Sequence, residues 1–132
     1  MFDSSRAFSG FSVGDIAEAK RFYGEVLGLE TGESNGMLQL KLGSGAVVLA
    51  YPKPNHEPAS YTMMNFSVDD IESAVDDLAG RGVQFERYPQ LAADTDERGI
   101  FRGGGPLIAW FTDPAGNILS VLEDPVAGGD PQ

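Results

Sequence analysis

Residues 11–19 read Phe11-Ser12-Val13-Gly14-Asp15-Ile16-Ala17-Glu18-Ala19, and residues 66–74 read Phe66-Ser67-Val68-Asp69-Asp70-Ile71-Glu72-Ser73-Ala74. At an offset of 55, six of these nine positions are identical, so the chain is built from two copies of one supersecondary unit. In each copy Phe-x-Val alternates apolar with small residues, the pattern of a half-buried strand. Asp15 follows where a helix N-cap is wanted, with Glu18 at capping-box spacing.

Working outward, the first helix is expected to carry Ile16, Ala19, Phe22, Tyr23, Val26 and Leu27 as one apolar stripe and to end at Gly28. The second is expected to carry Ile71, Ala74, Val75, Leu78 and Ala79 and to end around Gly80-Arg81-Gly82. Met37 to Leu42 alternates with Leu38, Leu40 and Leu42 on one face, and Ala46 to Tyr51 reads as a more buried strand after the Gly43-Ser44-Gly45 turn. In the second half Val83 to Arg87 is a further strand, followed by a polar, glycine-rich loop from about Gln90 to Pro106. Residues 109–112 and 118–122 then form a hairpin about Asp113-Pro114-Ala115-Gly116-Asn117. Each half is thus strand, helix and three strands. The expected organisation is a single α+β domain: module one over about 6–51, a Pro-rich linker over 52–60, module two over about 61–123, and a frayed tail over 124–132.

Composition limits the chemistry. The 132 residues hold 9 Lys+Arg against 20 Asp+Glu, a net charge of −11, which argues against nucleic acid or anionic membrane as a partner. With no cysteine there is no disulfide, thiolate metal site or Cys nucleophile, and with one histidine, His56, no multi-histidine metal site. No stretch approaches the roughly 18 apolar residues of a membrane span and the N-terminus has no signal-peptide pattern, so a cytoplasmic location is expected.

The sequence resembles the vicinal oxygen chelate superfamily, which includes glyoxalase I, bleomycin-resistance proteins and extradiol dioxygenases. The resemblance rests on Phe11-x-Val13-x-Asp15-Ile16, Phe22-Tyr23-x-x-Val26-Leu27-Gly28-Leu29, Phe66-x-Val68-x-Asp70-Ile71 and Trp110-Phe111-x-Asp113-Pro114-x-Gly116-Asn117, over about residues 8–123. It implies two βαβββ modules whose curved mixed sheet forms a cleft, and a homodimer. Metal-using members line that cleft with four ligands. The matching positions here hold Phe8, Met63 and Ser120, with the fourth near Ala50. Such a set suits no divalent cation, so neither metal nor other cofactor is expected.

The resulting expectation is a small-molecule binding or sequestering protein without catalytic residues. Its expected ligand is apolar or aromatic, with a cationic one also suited to the acidic chain, and the candidate contacts are Phe8, Tyr51, Met63, Arg102, Trp110 and Ser120. Trp110 and Phe111 are neighbours on a strand, so one faces the cleft and the other the helices. Arg98 and Arg102 are candidates either for clamping an anion or for simple solvation. Gly103-Gly104-Gly105-Pro106 reads as a lid or a hairpin lead-in, and Asp94, Asp96 and Glu97 as a solvated loop. His56 reads as a solvated linker residue, with a catalytic base as its rival. The alternative function is a glyoxalase- or dioxygenase-like enzyme, a lyase, isomerase or oxidoreductase, metal-free with His56, a carboxylate or Tyr51 as base, or metal-dependent.

Overall fold

The computed structural model describes residues 2–123; the tail expected to fray, 124–132, lies outside them. Two units, Met1–Pro58 and Ala59–Gln132, each build their own mixed sheet.

In the first unit β1 (Ser9–Val13) leads through α1 (Ile16–Lys20) to β2 (Glu30–Ser34), β3 (Met37–Lys41) and β4 (Val47–Pro52), in the sheet order β1-β4-β3-β2. β1 and β4 are parallel and the other pairs antiparallel. Phe11, Ala50 and Leu38 share one register row, and with Val13 and Leu40 they form the buried face, where Tyr23 is also fully buried. Gly10, Leu49 and Gln39 form the next row on the opposite face. Ala50, expected near the cleft, therefore belongs to the core, and the residue on the outer face of β4 is Leu49.

Asp15 caps α1 as expected, accepting the N–H groups of Ala17 and Glu18 at 2.8 and 3.2 Å. The single helix expected through Leu27 becomes an α-turn followed by a π-helical turn over Arg21–Val26, with Leu27 N–H donating to Phe22 O five residues back. This wider turn ends at Gly28, whose φ of 78° favours glycine, and keeps Tyr23 against Phe11 and Phe22, at ring centroid distances of 5.6 and 5.1 Å.

The second unit repeats the plan: β5 (Thr62–Ser67), α2 (Ile71–Gly80), β6 (Leu107–Thr112) and β7 (Ile118–Glu123), in the order β5-β7-β6. Asp70 caps α2 through Ser73 N–H, and Glu123 at the end of β7 accepts the Ile71 N–H at 2.9 Å. Ile71 and Val75 are buried, whereas Ala79, expected in the stripe, is exposed.

The expected strand Val83–Arg87 shrinks to one bridge, Phe85 to Phe111, plus a 2.7 Å bond from Glu86 N–H to Trp110 O. Pro89, which has no N–H to donate, then opens a 3-10 turn over Pro89–Asp94. Among the described residues no helix is long and apolar enough to cross a membrane.

Candidate functional site

The site grows from the three-stranded sheet of the second unit. Leu119, Val121, Phe111 and Ala109 are buried on one face; Trp110 and Ser120, paired in register with Asn65, are on the other. Phe111 thus takes the core side, edge-on to Phe85 at 5.6 Å, and Trp110 is only half-buried. The alternation at Trp110 and Phe111 is as the sequence predicts.

Around Trp110 the chain leaves a cavity of about 210 Å³, walled by Trp110, Tyr61 and Tyr88, with Ser60, Thr62 and Gln90 as polar neighbours. The Trp110 indole N–H donates to Thr62 Oγ1 at 3.1 Å, which holds the ring in one orientation. Tyr88 meets it edge-on at 5.5 Å with a 74° interplanar angle, and Phe101 leans on it at 6.3 Å. Burial, and secondarily the charge of Glu86, push the Tyr88 phenol above its ordinary pKa, so at neutral pH it is a neutral hydroxyl.

Of the residues singled out from sequence, Trp110 lines this cavity. Ser120 is its register neighbour, but its hydroxyl is fully buried and donates to Asn65 Oδ1. Met63 sits at a bulge in β5, between Thr62 and Met64. Phe8, 67% exposed, and Tyr51, 37% exposed, belong to the first unit.

Arg102, expected either to clamp an anion or to be solvated, is not simply solvated. Its Nε donates to Asp96 at 2.9 Å and its Nη2 to Glu72 of α2 at 2.8 Å, and Arg98 pairs with Asp76 of the same helix at 3.0 Å. Asp96, expected as a solvated loop residue, is the hub of that loop: one carboxylate oxygen accepts the N–H groups of Arg98 and Ile100, both at 2.9 Å. Gly103–Pro106 lies between the bridged residues Phe101 and Ile108, which is the hairpin lead-in of the two expected readings. Tyr61, Thr62, Tyr88 and Gln90 were missed. They lie at the linker's end and in the segment after the shortened strand, where no periodicity assigns a face.

His56 is half-buried, with its Nδ1 2.6 Å from Ser12 Oγ, so the solvated-linker expectation is also corrected.

The profile of the Glyoxalase/Bleomycin resistance protein/Dioxygenase superfamily matches residues 8–121. The chain belongs to this superfamily. A search of curated protein sequences finds no match. Among solved structures, a glyoxalase family protein from Enterococcus faecalis is similar at 24% identity and a TM-score of 0.67, covering 93% of this chain and 100% of its own. TnmS3, an antibiotic-binding protein from Streptomyces sp. CB03234, matches at 22% identity and a TM-score of 0.65, with 93% and 99% covered. The fosfomycin resistance protein FosX from Listeria monocytogenes matches at 12% identity and a TM-score of 0.68, with 96% and 98% covered. At these identities the likeness is one of fold.

Proposed function

We propose that this superfamily member binds a small apolar or aromatic molecule against Trp110 and holds it without metal chemistry. The observation that carries the reading is the aromatic cavity itself, with an indole fixed by Thr62 and neutral hydroxyl and amide groups around it. Pockets of this kind bind by burial and use sparse polar groups for orientation. Its volume of about 210 Å³ takes one ring system, so a larger ligand would lie partly outside it.

The metal that the superfamily resemblance implies does not suit the residues present. Phe8 has no donor atom, Met63 offers a single thioether, and the Ser120 hydroxyl is committed to Asn65. Ala50 is a core residue and Leu49 beside it is apolar. Among the described residues no three His, Asp or Glu side chains are grouped to hold an ion.

Binding of antibiotics by TnmS3 supports small-molecule capture as one use of this fold. A cationic ligand is compatible with the site, because the faces of Trp110 and Tyr88 attract cations and Glu86 is close enough to influence Tyr88. The reading includes the homodimer that the family resemblance implies.

Trp110 is the chain's single tryptophan, so its fluorescence reports the site directly. Titration with a library of apolar, aromatic and cationic compounds is expected to give saturable quenching by at least one class. Calorimetry with that ligand is expected to show Trp110→Ala weakening binding by about 2 kcal/mol, roughly 30-fold, as for other aromatic anchors. A library without a saturable response, or unchanged affinity in Trp110→Ala, would refute the proposal.

A further inference from the structure

The segment after β4 does not run free. Lys53 N–H donates to Val13 O at 3.0 Å and His56 N–H to Lys53 O at 3.0 Å, which turns the chain back over the end of β1. That turn, between Pro52, Pro54 and Pro58, sets His56 against β1 with its Nδ1 2.6 Å from Ser12 Oγ. Ser12 lies on the face of β1 opposite the buried Phe11 and Val13, and both members of the pair are half-buried.

Two residues earlier on the same face is Gly10, where a Cβ would lie 3.5 Å from Leu49 O and 3.9 Å from Tyr51 Cε1. Gly10 and Tyr51, the register partner of Ser12, are both exposed, so the half-buried pair is approached from this face. A hydroxyl with an imidazole within hydrogen-bond reach is the pairing that activates a serine as nucleophile.

We propose that Ser12 and His56 form a nucleophile–base pair that accepts acyl groups from activated esters. With the imidazole proton on Nε2, the Ser12 hydroxyl donates to Nδ1. Oγ then bonds to the acyl carbon, its proton passes to Nδ1, and the bond from acyl carbon to leaving oxygen breaks. The departing oxygen takes the proton from His56. Water attacks the acyl-serine in the reverse sense, returning the hydroxyl and releasing the acid. This activity is separate from the Trp110 cavity.

The test is p-nitrophenyl acetate on the full chain, read by p-nitrophenolate release and by peptide mass mapping. An acetyl group is expected on Ser12, absent in Ser12→Ala, and forming about 100-fold more slowly in His56→Ala and His56→Gln, the usual scale of general-base assistance. The chain has no native thiol, so Ser12→Cys gives a second readout: iodoacetamide alkylation is expected to be faster with His56 present than in the Ser12→Cys, His56→Gln double variant. No adduct on Ser12, or acetylation and alkylation rates indifferent to His56, would overturn the proposal. Either result leaves ligand binding at Trp110 as a separate question.

Discussion

Replacing Asp96 by asparagine tests whether one carboxylate organises the loop that supports the candidate site. Asp96 accepts the N–H groups of Arg98 and Ile100 through one oxygen and Arg102 Nε through the other, each at 2.9 Å. Burial alone would push this carboxyl up, but these bonds and the Arg102 charge outweigh it and hold the pKa below its ordinary value. In Asp96→Asn the amide oxygen keeps the two backbone bonds at neutral strength, while its NH2 replaces the acceptor that faced Arg102. Hydrogen bonds to a charged group contribute about 1.5–3 kcal/mol and neutral ones about 1. The Arg102 pair counts for less because that side chain is 38% exposed. The sum is a loss of about 2 kcal/mol, a fall of roughly 1 M in the urea midpoint for a domain of this size.

The sign with pH follows from linkage. A carboxyl whose folded pKa is depressed stabilises the fold fully above its unfolded pKa of about 3.9, and the contribution is lost as pH falls through the folded value. The difference between wild type and Asp96→Asn should therefore be complete at pH 6 and close below about pH 4. Urea unfolding across that range measures it. A midpoint change under roughly 0.2 M at pH 6, or one of equal size at both ends of the range, would refute the assignment of Asp96 as the hub. Because this loop brings Phe101 to within 6.3 Å of Trp110, the native Trp110 emission should shift in the same variant.

Gly103→Ala should destabilise by about 1–3 kcal/mol, measured by thermal unfolding, because the added methyl would overlap the Phe101 ring and meet Asp94 Oδ2 at 3.0 Å. Glu123→Ala removes the acceptor for the Ile71 N–H and should cost about 1 kcal/mol, with reduced protection of the first turn of α2 in hydrogen exchange.

Fold was more legible than site because its signals are local. Asp15 and Asp70 act within three residues of themselves, and both cap their helices as the repeat predicts. Asp113 likewise folds its own turn, accepting the N–H groups of Ala115 and Asn117 at 2.9 Å. What escaped depends on partners distant in sequence: Glu123 capping α2 across 52 positions, Arg102 reaching Glu72 across 30, and Ser12 meeting His56 across 44. β2, the third strand expected after the helix of the first half, has no residues assigned from sequence for another reason. Its evidence is the turn after it, Asn35-Gly36, whose φ values of 55° and 76° make the tight hairpin to β3; the dipeptide is a strong hairpin signal even when the strand before it carries no apolar alternation.

The departure of the second unit from the repeat is what makes room for the site. In the first unit the fourth place in the sheet is filled by β2, paired along its whole length with β3 and fixed by the Asn35-Gly36 turn. At the corresponding offset of 55 the second unit has Phe85 to Pro89, with no such turn and a proline that cannot donate to a ladder. Pairing stops after the Phe85 bridge and the Glu86 bond, and the chain leaves the sheet at Tyr88. Had it continued as a strand, its backbone would have run beside β6 past Trp110. Instead Tyr88 and Gln90 line the cavity together with Trp110, which touches both Tyr88 and Thr62. The cavity is therefore a consequence of the lost strand. Substituting Pro89 with a β-branched residue such as valine should favour the extended form and narrow the cavity, weakening ligand capture without disturbing the core side of the sheet, where Phe85 and Phe111 already meet.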